Sequence, residues 1–473
     1  MSHLLSPYDT PAAASAMTSL PPDITLEIFA QQPSAAVATP FLLCYKTDET
    51  VDADEIVEKL DAGRLSLHEA LPWTSGEVIR DQTGSTGSGV FKIRHATAPP
   101  RVIVKDLRDD PSIPSMQELQ KAEFPASMLD ETIFSPFSVL PGKEPQATLR
   151  NRVLVLQANL IRGGVLLNIC GHHSVLDGTG QEQVTYLLNK ACQGQPLTPE
   201  EIRIGNLPRE NIIELFPDDW QPVNSPYLKP AGDKPNTSWA KDENDETTSP
   251  LIWINISFSR ESLEEVKNEA HRGLSTGFVS TDDALTALVW QSLCRARVPR
   301  LKQTTPTIMG RAINPRRYLD VPPTYPGYIS NMAYTTKSLH SMTESTLGQV
   351  AAELRTAVDP KLSKLSDLTR EFATLIHRAE DKDTVSLGNC LDLDHDLMVS
   401  SWAAMRCYEF DFGMGLGLPV TFRRTKMVPV PNLIFFLPKD ASGCIVVNMC
   451  IREDDLERLQ RDPEFNRYVR FIG

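Results

Sequence analysis

Two adjacent histidines and an Asp-Gly pair carry the strongest chemical signal in this chain, in the run Gly171-His172-His173-Ser174-Val175-Leu176-Asp177-Gly178. A neutral imidazole, with an ordinary pKa of about 6.5, accepts a proton at neutral pH without large tuning. His173, the nearer of the two to the turn, is the candidate base, and such a base acts by taking the proton of an attacking group. Asp177 has three open roles: holding the imidazole, pinning the loop by pairing with a distant arginine, or capping a helix. Gly178 and Gly180 let the backbone turn tightly. A plainer reading leaves two core histidines bonded to backbone. Metal ligation is disfavoured. Neighbouring side chains at a strand end point in opposite directions, and no other histidine or cysteine stands at ligand spacing.

The elements around the motif explain how it would be aimed. Residues 153–161 and 165–170 are apolar runs that read as strands, with Arg162-Gly163-Gly164 as the turn between them. From Gly180 to Lys190, apolar Val184, Leu187 and Leu188 fall at helical spacing. The histidines therefore sit where a buried strand leaves a sheet and turns into a helix, a place where a rigid element aims side chains and a loop exposes them.

A second motif, Asp411-Phe412-Gly413-Met414-Gly415, follows Ser400-Ser401-Trp402. Together, His-His-x-x-x-Asp-Gly and this stretch resemble the signatures of the BAHD-type acyl-CoA-dependent acyltransferases, closest in style to their fungal trichothecene 3-O-acetyltransferase-like branch. The resemblance covers nearly the whole chain. It implies an α/β fold of two similar chloramphenicol-acetyltransferase-like domains, with mixed sheets and a solvent channel between them. It also implies transfer of an acyl group, acetyl by analogy, from acyl-CoA to a hydroxyl of a small secondary metabolite. His173 is then the base, grouped with Asp177 as the catalytic pair. His172, Gly178, Arg316, Asp411, Gly413 and Gly415 support the site. Arg316 matches the family arginine that pairs with the motif aspartate, and Arg317 is the fallback partner. Ser280, Ser400 and Ser401 are assigned to CoA. Two positions depart from the pattern: Asn314 stands for an aspartate and Met414 for a tryptophan. Acyl-CoA is a co-substrate, and no permanently bound cofactor or metal is implied.

Composition bounds the rest. The chain has 473 residues, 41% hydrophobic, and a net charge of −14, which argues against nucleic acid or an anionic membrane as partner. Its eight cysteines form no Cys-x-x-Cys and read as reduced thiols. Without a leader-like start or a long apolar run, a cytoplasmic protein is expected, and the resemblance implies a monomer, since its fold completes the site within one chain. The expected division is a first domain over residues 1–196, a Pro-rich crossover over 197–249 with a charged run at 241–246, and a second domain over 250–473. Residues up to about 35 are expected on the surface. Gly63 is expected to break a helix over 51–71, and Asp392-Leu393-Asp394-His395-Asp396 to form an exposed turn. Ser280 or Thr281 reads as the N-cap of a helix whose N-terminus would favour phosphate. Two other readings remain: a condensation-type protein using a carrier-protein thioester, and a non-catalytic relative that binds a metabolite.

Overall fold

A computed structural model describes residues 22–48, 52–82, 87–140, 147–229, 249–272, 274 and 277–473. Ala38–Lys46 and Gly164–His172 are apolar and buried along almost their whole length and pair antiparallel, and Leu154–Ile161 pairs antiparallel with the far edge of Gly164–His172. Runs of this kind suit strands covered on both faces. Ile103–Asp106 adds in parallel to Leu154–Ile161, and Thr421–Arg423 adds antiparallel to Ala38–Lys46, completing a five-stranded mixed sheet. Gly163 makes the hairpin turn with a φ of 73°.

The second sheet runs Asn331–Ser338, Pro306–Ile313, Leu397–Ser401, Leu433–Phe436, Ile445–Arg452, Leu251–Phe258, Arg470–Phe471. Leu397–Ser401 is parallel to both its neighbours and the other pairs are antiparallel. The molecule is thus α/β with mixed sheets in two halves, each opening on a strand followed by a helix: Ala38–Lys46 then Ala53–Ala70, and Leu251–Phe258 then Arg260–Arg272. A small antiparallel sheet of Ile24–Thr25, Val90–Arg94 and Glu77–Asp81 flanks them.

Several expectations are corrected. The stretch before residue 35 is not all surface: Leu26, Phe29 and Ala30 are buried, and Phe29 packs on Phe372 at 5.0 Å between ring centroids. Residues 1–21 and the charged run at 241–246 lie outside the described residues. The described part of the crossover is mostly exposed or half-buried, but Gly205, Arg209, Ile213 and Tyr227 are buried against the body of the protein. It contains the helix Pro199–Gly205, and Tyr227 is fully buried with its hydroxyl on Asn331. Asp396 is buried rather than in an exposed turn, because its carboxylate accepts from the backbone N–H of Ile308 and of Asp392, each at 2.7 Å. The boundaries at 196 and 250 follow chain order more than packing, since Thr421–Arg423 belongs to the first sheet.

Gly63 breaks nothing. It lies inside the helix Ala53–Ala70, which packs on the helix Gly178–Cys192. A Cβ at Gly63 would stand 2.2 Å from Cys192 Sγ and 2.7 Å from its backbone nitrogen, so glycine here sets how closely the helices approach. Gly63→Ala should force them apart and cost about 1–3 kcal/mol, the usual penalty of overpacking. A lowered urea midpoint would show it. An unchanged midpoint would mean the helices are not in contact in solution.

Candidate active site

The strand Gly164–His172 carries the histidine pair to the end of the first sheet. The backbone N–H of His172 donates to Val153 O at 2.9 Å and that of His173 to Val37 O at 2.8 Å, so the loop leaves from a fixed point. His173 Nδ1 lies 2.9 Å from Leu176 O. A carbonyl only accepts, so Nδ1 carries the hydrogen and Nε2 keeps its lone pair. Burial pushes the His173 pKa below 6.5, against the pull of the Leu176 hydrogen bond and the Asp177 charge, and the Arg424 charge adds to the depression. The imidazole is therefore neutral at neutral pH, the form a general base needs. Tyr328 meets the ring edge-on, 5.1 Å between centroids. His172 points away into the core. Burial, with the charges of His173 and Arg150, lowers its pKa to about 3, and its buried Nδ1 finds no partner among the described residues. Its ring is therefore neutral at neutral pH.

Asp177, grouped with His173 by the resemblance, takes the loop-pinning role open to it and pairs with Arg316. Its Oδ1 accepts from Gly180 N at 2.7 Å and Arg316 Nη2 at 3.0 Å. Its Oδ2 accepts from Ile329 N at 2.8 Å and faces Arg316 Nη1 at 2.9 Å. No hydrogen bond joins it to the imidazole, whose Nδ1 is taken by Leu176. Asp177 is a positioning residue that caps the helix Gly178–Cys192 and ties the loop to the second half of the chain. Arg316 is the partner; Arg317 instead reaches Val358 O and the Tyr318 ring. Arg316 also donates to Tyr325 O at 3.0 Å and Gly327 O at 2.7 Å. Asn314, where the family pattern has aspartate, holds Arg316 through a neutral amide: its Oδ1 accepts from Arg316 N at 3.1 Å and Nη1 at 3.0 Å.

A second buried layer supports this loop and had no motif to announce it. Arg209 Nη1 donates to Glu27 Oε1 at 2.7 Å and to Val175 O, inside the loop, at 3.3 Å. The Tyr325 hydroxyl donates to the same Glu27 oxygen at 2.6 Å. Burial raises the Glu27 pKa despite Arg209 and Tyr325. These residues are far apart in sequence, and only the fold joins them.

The remaining site residues separate into two places. Gly178 sits against Trp402 and Met405: a Cβ there would be 3.4 Å from the indole Nε1 and 3.0 Å from Met405 Cε. That indole donates to Ser400 Oγ at 3.1 Å, which places Ser400 beside the motif, whereas Ser401 is exposed at the strand end. The Asp411 motif lies at the other end of the helix Gly178–Cys192. Asp411 accepts from Gly413 N at 3.0 Å and from the Gln193 amide, and Phe412 N donates to Asn189 Oδ1 at 2.8 Å. Phe412, Gly413 and Gly415 take φ of 53°, 62° and 75°, which builds the turn. Met414 packs in the main core. The CoA assignment of Ser280 is not favoured by its surroundings. Its hydroxyl bonds Asp283 Oδ2 at 2.7 Å in a capping box, and the helix N-terminus is already occupied by Asp282 and Asp283, paired with Arg311. An anion there would meet carboxylates. Among the described residues, no three His, Cys, Asp or Glu side chains gather as a metal site would, and no helix is long and apolar enough to cross a membrane.

Comparison with known proteins agrees with this geometry. Residues 37–192 match the trichothecene 3-O-acetyltransferase-like N-terminal domain, and residues 122–466 match the Transferase family. The O-acetyltransferase dmxR13 of Cryptosporiopsis sp. is 38% identical, across 95% of this chain and 97% of that protein. Trichothecene 3-O-acetyltransferase TRI101 of Fusarium sporotrichioides is 36% identical, across 98% of this chain and 100% of that one. The crystal structure of F. graminearum TRI101 complexed with coenzyme A and deoxynivalenol superposes with a TM-score of 0.89 at 34% identity, covering 95% of this chain and 100% of that one. Motif, clamp and likeness thus converge: this chain belongs to the Transferase family of BAHD-type acyl-CoA-dependent acyltransferases, in the branch with a trichothecene 3-O-acetyltransferase-like N-terminal domain.

Proposed function

We propose that the protein moves an acetyl group from acetyl-CoA to a hydroxyl of a small secondary metabolite, with His173 as general base. The observation that carries this reading is the neutral imidazole of His173, fixed through Nδ1 on Leu176 O and left with a lone pair at Nε2. The relatives named O-acetyltransferases, and the TRI101 structure with coenzyme A and deoxynivalenol, support the donor and the class of acceptor.

The steps follow from that geometry. The two substrates meet at His173 in the junction between the halves. Nε2 takes the hydroxyl proton as the acceptor oxygen attacks the thioester carbonyl, and the carbonyl π pair moves onto oxygen. When the tetrahedral intermediate collapses, the C–S bond breaks and the imidazolium returns its proton to the thiolate. The ester and free CoA thiol leave, and the enzyme is unchanged. No acyl-enzyme is needed, so no activated serine or cysteine is required. The site draws on both halves of one chain, which supports a monomer as the working unit.

Three outcomes test the assignment. His173→Ala should lower thiol release from acetyl-CoA in the presence of an acceptor by about 10²–10⁴-fold; wild-type turnover in a folded variant would remove His173 as base. The pH profile of kcat/KM should be flat through neutral pH. Its acid limb should lie below the ordinary histidine value of 6.5, because burial lowers the pKa and the base is lost only as pH falls through that lowered value. A limb above 6.5 would contradict the buried neutral ring. Arg316→Met should strand the Asp177 carboxylate, lower stability by about 3–5 kcal/mol as for other broken buried pairs, and reduce kcat more than the KM for acetyl-CoA. A thermal melt and steady-state kinetics would read both, and an unchanged kcat would deny the clamp its role.

A further inference from the structure

Tyr328 carries an unused hydroxyl beside the reacting centre. The Asp177–Arg316 clamp brackets this residue along the chain. On one side Arg316 Nη2 donates to Gly327 O at 2.7 Å; on the other, Ile329 N donates to Asp177 Oδ2 at 2.8 Å and Ile329 O accepts from Arg316 Nη1 at 3.4 Å. The same clamp therefore aims two side chains, His173 from the first half and Tyr328 from the second, and their rings meet edge to face, 5.1 Å between centroids. A phenol oxygen stands one bond beyond its ring, within reach of a molecule held at His173. Tyr328 is 6% exposed and His173 is half-buried. Among the described residues the Tyr328 hydroxyl makes no hydrogen bond, yet it is not one of the sealed, unpartnered polar atoms of the interior, so its oxygen opens onto accessible space.

Other buried tyrosines use this group to hold the fold: Tyr45 donates to Phe410 O at 2.7 Å, Tyr227 to Asn331 Oδ1 at 3.2 Å and Tyr325 to Glu27 Oε1 at 2.6 Å. A buried phenol normally finds such a partner, and where packing alone is needed phenylalanine fills the same space. Burial, with the Asp177 charge, pushes the Tyr328 pKa above the ordinary tyrosine value. It therefore keeps its proton at neutral pH and serves as a hydrogen-bond donor, not as a second base. Chemistry at His173 Nε2 offers two oxygens to such a donor. One is the thioester carbonyl oxygen, which becomes an oxyanion as the acceptor attacks. The other belongs to the acceptor itself. In either case the phenol O–H bond stays intact, and the proton still travels by way of His173.

We propose that Tyr328 is a further catalytic residue, whose hydroxyl donates a hydrogen bond to a substrate oxygen held at His173. The proposal rests on the acetyltransferase reading above.

Tyr328→Phe keeps the ring against the imidazole and removes the hydroxyl alone, so its thermal melt should match that of the wild type. Thiol release from acetyl-CoA is followed with water as acceptor and with a panel of hydroxylated terpenoids, with wild type and His173→Ala alongside. If the hydroxyl serves the carbonyl oxygen, kcat should fall about 10²–10³-fold for water and terpenoid alike, as when an oxyanion donor is removed, with both KM values held. If it serves the acceptor, the KM for the terpenoid should rise about twofold to tenfold and hydrolysis by water should not change. The infrared carbonyl stretch of acetyl-CoA bound to His173→Ala gives a reading without turnover: adding Tyr328→Phe should move it to higher frequency in the first case and leave it in place in the second. Kinetic constants equal to wild type for water and for each terpenoid used would overturn the proposal. So would a loss that comes with a shifted acid limb of the pH profile, since the tyrosine would then act through the imidazole and not on the substrate. His173-dependent release that Tyr328→Phe leaves untouched sinks this proposal alone, whereas release that does not depend on His173 sinks the acetyltransferase reading and this role with it.

Discussion

The ion pair between Asp177 and Arg316 is the constraint on which the site depends. It joins a loop of the first half to a segment of the second, and both side chains are almost fully buried. Desolvating two charges is expensive, and the contact holds because four donors converge on one carboxylate. That satisfaction has geometric consequences. Oδ1 can meet Gly180 N only if the helix Gly178–Cys192 begins at Asp177. Oδ2 can meet Ile329 N only if the segment after Gly327 lies against the loop. The same arrangement curls residues 173–176 so that Leu176 O faces His173 Nδ1, which fixes the tautomer.

Around the clamp the structure spends its glycines on close approach. Gly180 lies against Pro326, where a Cβ would stand 2.3 Å from the carbonyl oxygen, and Gly171 lies against Gln181 at a comparable separation. Gly178, against Trp402 and Met405, and Gly180, against Pro326, therefore serve contact between the halves, and both lie inside the helix Gly178–Cys192. The Glu27–Arg209–Tyr325 layer repeats the logic one shell out, with an arginine on the carbonyl of Val175.

What the sequence made legible was local. Strands at 154–161 and 164–172, the capped helix after Asp177 and the helix after Ser280 were all readable, because period, caps and turn glycines act within a few residues. Arg316 was found through a motif. The roles of Asp177 narrowed only when its four donors were seen, since three of them come from residues distant in sequence or from a loop conformation. Gly63 looked like a break because glycine is a poor helix former, but a tight interhelical contact overrode that propensity.

The strand Thr421–Arg423 has a consequence for biosynthesis. Ala38–Lys46 is made early, yet one of its two edges is covered only when this late segment returns to the first sheet. Until then, a nascent chain carries a long apolar strand with a row of unmatched N–H and C=O groups, the kind of edge that pairs with foreign strands. The first half cannot finish during synthesis as an independent unit. Its closing contact is among the most non-local in the molecule, which slows folding and lengthens the exposure of that edge. The shared sheet that completes the acyltransferase also makes it a protein whose halves are not interchangeable parts.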